Sequence, residues 1–187
     1  MLLWLTASCV PLLIQQNVRG SNFFNRSWAE FKVGFNDTVG NYWLGNDLLS
    51  QLTQIRSYKL RFDLQLRDLT WYYAEYSSFL VYGELRNYEL QVSGYSGNVG
   101  DALSNQNGMM FSTYDRENDL WTRDNDPSNS GSASKYNCAV FNGGGFWYKN
   151  CGYCNVNTER GRGSHFQWNA APLGTRFLQS TRMWLMC

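Results

Sequence analysis

Tyr58-Lys-Leu-Arg-Phe-Asp-Leu-Gln-Leu66 decides the fold class. Tyr58, Leu60, Phe62, Leu64 and Leu66 alternate with Lys59, Arg61, Asp63 and Gln65. A period of two sends successive side chains to opposite faces, which predicts a half-buried β-strand. Downstream, Thr70-Trp-Tyr-Tyr-Ala-Glu-Tyr76 and Phe79-Leu-Val-Tyr82 continue as strands, and Tyr88-Glu-Leu-Gln-Val92 closes an antiparallel meander. Gly83 and Ser93-Gly-Tyr-Ser-Gly97 mark its turns.

Upstream the period changes. Ser27-Trp-Ala-Glu30 reads as a capping box: the Ser hydroxyl meets the backbone N–H at Glu30, and the Glu side chain reaches back to the cap. Trp28, Phe31 and Phe35 then share a face, and Gly34 ends the helix. A second short helix is predicted from Asn46 to Thr53, with Leu48, Leu49 and Leu52 facing inward. Past residue 100 regular structure thins out, and Asn, Gly, Ser and Asp dominate up to residue 170. A loop region of this length in a compact domain signals function, a bound ion, or both.

The 187 residues are enough for one domain with its own core. Hydrophobic residues make up 43%, and aromatics equal the charged residues at 17%, which excludes a disordered chain. A net charge of +1 carries no electrostatic footprint for nucleic acid or anionic membrane. One His excludes a His-rich metal site or a two-His relay. Ser164-His165 are sequence neighbours, which does not set a hydroxyl against an imidazole, so no enzyme is expected.

Five cysteines, an odd count, leave at least one thiol without an intramolecular partner. Cys138 and Cys151 enclose a short aromatic-rich loop that suits a disulfide. Cys151-Gly-Tyr-Cys154 also permits a zinc reading, which would need Cys138 and His165 to converge on it. Residues 1–12 form an atypical apolar segment. The run Met1–Ile14 is too short to span a bilayer as a helix, which takes about 20 residues; it reads as a weak signal segment or a remnant strand. Asn25-Arg-Ser27 and Asn36-Asp-Thr38 are glycosylation sequons. With the disulfide, they favour a secreted, extracellular setting.

Asp115-Arg-Glu-Asn-Asp119 alternates acidic side chains, and Asp124-Asn-Asp126 adds two more. Carboxylates at this density repel one another unless a cation intervenes, and oxygen donors on an irregular loop suit calcium. A solvated acidic turn is the alternative.

The loop and the cysteine pair bring the chain into recognisable company. Phe24-Asn-Arg-Ser-Trp28, Tyr42-Trp-Leu-Gly-Asn-Asp47, Tyr72-Tyr-Ala-Glu-Tyr76 and Tyr88-Glu-Leu-Gln-Val-Ser-Gly-Tyr-Ser-Gly97 carry the first half of a match. Asn107-Gly-Met-Met-Phe-Ser-Thr113, Asn137-Cys-Ala139 and Gly145-Phe-Trp-Tyr-Lys-Asn-Cys151 carry the second. Over residues 13–187 the chain resembles a truncated fibrinogen C-terminal (fibrinogen-related) domain, the family of fibrinogens, ficolins, tachylectins, angiopoietins and tenascins. The resemblance implies an α+β fold with a central twisted antiparallel sheet, short helices, and a loop-rich lobe carrying a calcium site and a ligand pocket.

It also implies roles for particular residues. Glu117 and Asp119 fall on the calcium ligands, with Trp121 and Arg123 as carbonyl donors; Glu117 replaces the usual Asp, and Asp124 and Asp126 are the substitute pair. The ligand pocket falls on Asn142, Asn150, Cys151, Gly152, Trp168 and Asn169. There a cis Asn150–Cys151 bond aims the N–H groups of Cys151 and Gly152 at a ligand carbonyl. Gly152 stands where the family usually has His, and Asn142 where acetyl binders often have an aromatic. Cys9, Cys154 and Cys187 have no counterparts, and Cys154–Cys187 is a conceivable bridge.

These readings lead to a calcium-dependent recognition module of innate-defence, lectin-like type. It would bind glycans or N-acetylated groups, with Trp147, Tyr148 and Trp168 as stacking surfaces. Core packing is the alternative for Trp147 and Tyr148. The second reading is a protein-interaction module, a receptor ligand or matrix adhesion domain, favoured by Gly152 and Asn142. No nucleic acid or membrane span is expected, and avidity would come from a homo-oligomer.

Overall fold

The computed structural model describes residues 10–20, 22–122, 136–159, 166–171 and 174–187. Among these, strands β1 (Leu12–Val18), β2 (Phe35–Asn36), β3 (Tyr42–Trp43), β4 (Tyr58–Leu66), β5 (Trp71–Val81) and β6 (Leu90–Gly97) come first, with helices α1 (Trp28–Val33) and α2 (Asn46–Ile55) between them. Then follow β7 (Phe111–Ser112), α3 (Cys138–Asn142), β8 (Phe146–Trp147), β9 (Cys154–Asn155), β10 (Gln167–Ala170) and β11 (Gly174–Met186). The main sheet runs β2-β3-β1-β11-β4-β5-β6, with β10 and β9 continuing from β11, and its strand pairings among the described residues are all antiparallel. The few helices are short, so the molecule is sheet with a loop-rich lobe.

The alternation in β4 works as read. Leu60, Phe62 and Leu64 are buried in the core, while Lys59, Arg61, Asp63 and Gln65 stay on the outer face. That outer face is held by ion pairs, Arg61 reaching Asp63 at 2.8 Å and Glu75 at 2.7 Å. The two strands expected after residue 70 are one continuous strand, β5. The register with β4 shifts at Ser77–Ser78, between the Tyr58–Phe79 and Leu60–Tyr76 pairs, but pairing with β6 carries the strand across, Ser78 sitting opposite Ser93.

The capping box forms with both its bonds, and Gly34 ends α1 with φ 91°. Helix α2 runs two residues past Thr53, to Ile55. Of its three leucines, Leu49 is buried, Leu52 is half-buried and Leu48 points outward. Asn46, Leu49, Ser50 and Thr53 line the inner face instead, and Thr53 accepts the N–H of Val81 at 3.0 Å, which stitches the helix to β5.

The core between sheet and lobe is aromatic. Trp43, Phe31, Phe111 and Trp147 meet at centroid distances between 5.0 and 6.1 Å in tilted or edge-on geometries, as aromatic pairs prefer. Trp147 is therefore core, its indole N–H donating to the Tyr88 carbonyl at 2.7 Å. Tyr148 is also fully buried and donates to the Gly144 carbonyl. Neither offers a surface for stacking a ligand. No helix among the described residues is long and apolar enough to cross a membrane.

Candidate functional site

The lobe after residue 110 owes its shape to side chains that replace missing secondary structure. Asn118 receives no help from a sheet, yet its amide donates to the Phe111 carbonyl at 2.7 Å and its backbone N–H to Ser112 Oγ at 3.0 Å. Asn137 caps α3, accepting the Val140 N–H at 3.0 Å and donating to the Thr113 carbonyl at 3.1 Å. Asp119 accepts two backbone N–H groups, from Trp121 and from Cys138, each at 2.9 Å. Leu120 N–H donates to the Lys149 carbonyl at 2.8 Å. The acidic loop and the cysteine loop are thereby one mechanical unit, closed by the Cys138–Cys151 disulfide.

Within this unit Asp119 is electrostatically uncomfortable. Burial pushes its pKa up to about 6, against the pull of its two N–H bonds, and the nearby Glu117 charge adds to the rise. Glu117 itself is exposed. A carboxylate has about four lone-pair positions, so the two N–H bonds leave Asp119 able to share a cation. The charge it holds at neutral pH is what a hard divalent ion would relieve. Among the described residues no three Asp, Glu, His or Cys side chains converge on one point, so an ion here would rely on backbone carbonyls beside the two carboxylates. Arg123, Asp124 and Asp126 lie outside the described residues. Asp115 does other work, accepting the Trp28 N–H at 2.9 Å and the Thr113 hydroxyl at 2.7 Å.

Next to the disulfide the backbone is unusual. Cys151 holds a left-handed φ of 55°, which a residue with a Cβ adopts at a cost. Asn150 is exposed and Gly152 partly so. A Cβ added at Gly152 would meet only the Asn150 carbonyl, at 3.7 Å. The Gly152 carbonyl accepts from Gln167 Nε2 at 2.9 Å, and Asn169 N–H reaches the Tyr153 carbonyl at 2.9 Å.

The other two expected pocket residues are elsewhere in character. Trp168 is fully buried, because β10 pairs with both β9 and β11 and turns it inward. There it packs on Phe62 at 5.0 Å and donates to the Gly100 carbonyl at 2.8 Å. Asn142 is fully buried too, its carbonyl accepting the Thr158 hydroxyl. Both are core residues in this structure.

The cysteines resolve as well. The disulfide removes Cys138 and Cys151 as thiolate ligands, so the zinc arrangement fails. Cys154 is a buried free thiol and Cys187 is disulfide-bonded, so the Cys154–Cys187 bridge is not formed. Cys9 and His165 lie outside the described residues. Both sequon asparagines, Asn25 and Asn36, are exposed. Asn137, Asn118 and Gln167 escaped the sequence reading; Asn137 alone carried a local signal, an Asn immediately before a helical start.

A family model described as the C-terminal globular domain of fibrinogen beta and gamma chains matches residues 6–182. The fibrinogen beta chain of Gallus gallus is 37% identical over 188 residues, covering 87% of this chain and 39% of that protein. Angiopoietin-related protein 1 of Mus musculus is 37% identical over 170 residues, covering 89% of this chain and 32% of that protein. The chain therefore spans well under half the length of these curated relatives. Among solved structures, the fibrinogen-like globe domain of human ANGPTL2 aligns with a TM-score of 0.79 at 32% identity, covering 94% of this chain and 79% of that one. A lamprey fibrin D-dimer, complexed with the peptide ligand Gly-His-Arg-Pro-amide, aligns with a TM-score of 0.70 at 26% identity, covering 92% and 60%. A sheet crossed by a C-terminal strand, a disulfide-closed lobe and a family match over nearly the whole length agree: the chain belongs to the fibrinogen C-terminal domain family.

Proposed function

We propose that the chain is an extracellular recognition module that binds a protein or peptide ligand at the Asn150–Gly152 edge of its loop lobe. A calcium ion held by Glu117, Asp119 and the carbonyls of Trp121 and Arg123 would brace that lobe. The observation that carries this reading is the coupling of Asp119 to Cys138 and of Cys138 to Cys151. Ion, disulfide and the left-handed Cys151 then form one rigid support for an exposed edge, and a preorganised edge loses little freedom on binding. The peptide carried by the lamprey fibrin neighbour supports a ligand of this class. The disulfide and the two exposed sequon asparagines support the extracellular setting.

Burial of Trp168 and Asn142 ranks the protein reading above the lectin reading, since a sugar would lack its aromatic wall. One observation still favours N-acetyl recognition as the second reading: the open side of Gly152, beside a backbone already turned left-handed at Cys151.

The test is affinity capture by the immobilised chain from plasma and matrix extracts, with bound proteins identified by mass spectrometry. The protein reading expects capture that chelator abolishes and excess N-acetylglucosamine leaves intact. Elution by the sugar would transfer the site to the acetyl reading. Capture indifferent to chelator would remove calcium from the proposal.

A further inference from the structure

The turn between β5 and β6 is held in a conformation that pairing alone does not require. Asn87 and Tyr88 are consecutive and both left-handed, with φ of 50° and 51°, a region that residues with a Cβ enter rarely and singly. Their surroundings over-determine them. The Asn87 carbonyl accepts the Phe111 N–H at 2.9 Å, and its side-chain oxygen accepts from the Arg116 guanidinium at 2.7 Å. Tyr88 is buried, donating its hydroxyl to Asp47 and accepting the Trp147 indole N–H. What this arrangement presents is Leu85, fully exposed in the 3-10 turn Glu84–Arg86.

Beside Leu85 lies an open cavity of about 750 Å³, lined also by Gln54, Tyr82, Glu84, Arg86 and Arg116. Its two guanidiniums lie over aromatic rings, Arg86 at 3.6 Å from the Tyr82 centroid and Arg116 at 4.0 Å from that of Trp28. Stacking fixes the planes and leaves N–H edges for a carboxylate. Arg86 also bridges Glu89 at 2.7 Å, but 52% of its side chain stays exposed, and 41% of that of Arg116. Glu84, the carboxylate among these lining residues, is engaged internally. It accepts the Trp28 indole N–H at 2.8 Å and the Lys32 ammonium, and its Oε1 lies 3.8 Å from the Arg116 guanidinium. The lining thus presents two half-exposed guanidiniums, each already beside one carboxylate, around an apolar tip.

We infer that this cavity docks an acidic segment of a protein partner, its carboxylates on Arg86 and Arg116 and a large apolar side chain against Leu85. None of these residues belongs to the Asn150–Gly152 edge, so the inference stands or falls separately from the function proposed above.

A phage-displayed random peptide library panned on the full chain tests it. Selected sequences should pair Asp or Glu with Leu, Ile or Phe. A synthetic copy of one should lose about tenfold or more in affinity on Leu85→Ser and on Arg86→Glu, and should bind less tightly as salt rises. Both positions are exposed, so a melting temperature equal to wild type verifies the fold of each variant. Peptides without acidic residues, affinity unchanged in both variants, or a panning that selects nothing would each overturn the inference.

Discussion

Asp119 accepts the backbone N–H of Cys138 at 2.9 Å, so the acidic loop is anchored to the first half-cystine of the lobe's disulfide. The same carboxylate holds the Trp121 N–H. Asp119→Ala removes both acceptors at once and should destabilise the chain by about 1–3 kcal/mol, the usual cost of stranding buried donors. It should also abolish any rise in melting temperature on adding calcium. Urea unfolding of both proteins, with calcium and with chelator, checks the two claims separately. A variant as stable as wild type would mean that the loop is held by something other than Asp119.

The raised pKa of Asp119 makes a signed prediction. Burial lifts it to about 6, from about 3.9 in an unfolded chain. The folded state therefore holds the proton more tightly. Its stabilising contribution is complete below the unfolded value and is lost as pH rises through about 6. Calcium needs the ionised form, so the ion's contribution has the opposite slope. The increment in melting temperature produced by calcium should be small below about pH 6 and grow above it. A calcium increment that ignores pH across this window would detach Asp119 from the ion.

Legibility in the sequence followed the range of the interactions. β4 and the capping box were readable because periodicity and a four-residue exchange of bonds are local facts, and the Cys138–Cys151 pair because its loop is short. β11 escaped notice although it is the longest strand among those described. Its alternation is broken by a register shift between Leu178 and Ser180, where β11 pairs with β4. Its place between β1 and β4 depends on partners more than a hundred residues away. The burial of Trp168 was hidden for a related reason: its inward turn is set by pairing with Cys154 and Arg176 on two different strands, which local periodicity does not record. At the site, Glu117 and Asp119 were visible as charge density. The grip of Asp119 on Cys138 was not.

Two glycines of the lobe separate packing from display. A Cβ on Gly144 would stand 1.6 Å from the Asn157 carbonyl oxygen, and Asn157 is itself fixed by bonds to Gly145 and Gln15. Backbone has to move, so Gly144→Ala should cost about 3 kcal/mol or more, the upper end for overpacking. Gly152→Ala meets nothing closer than 3.7 Å and should stay within about 0.5 kcal/mol of wild type. Thermal melts of the two variants side by side check the contrast. Equal losses would place Gly152 in the packed interior and not at a binding edge.

Cys154 tests whether the lobe is closed. It lies three residues from Cys151, close enough in sequence for its sulfur to attack the disulfide if the chain there opened. The attacking species is the thiolate, and burial pushes the Cys154 pKa well above its usual value, with the Asp101 charge adding to the rise. Both access and ionisation are therefore withheld in the folded chain. Iodoacetamide applied to the native, unreduced chain should leave Cys154 unmodified, whereas the same reagent in denaturant without reductant should alkylate it. Peptide mapping by mass spectrometry reads both outcomes, and the Cys138–Cys151 linkage should survive the native treatment intact. Rapid alkylation under native conditions would mean that the lobe opens readily. A lobe that opened so easily would be a poor support for the edge at Asn150–Gly152, so this measurement bears on the binding site as directly as on the thiol.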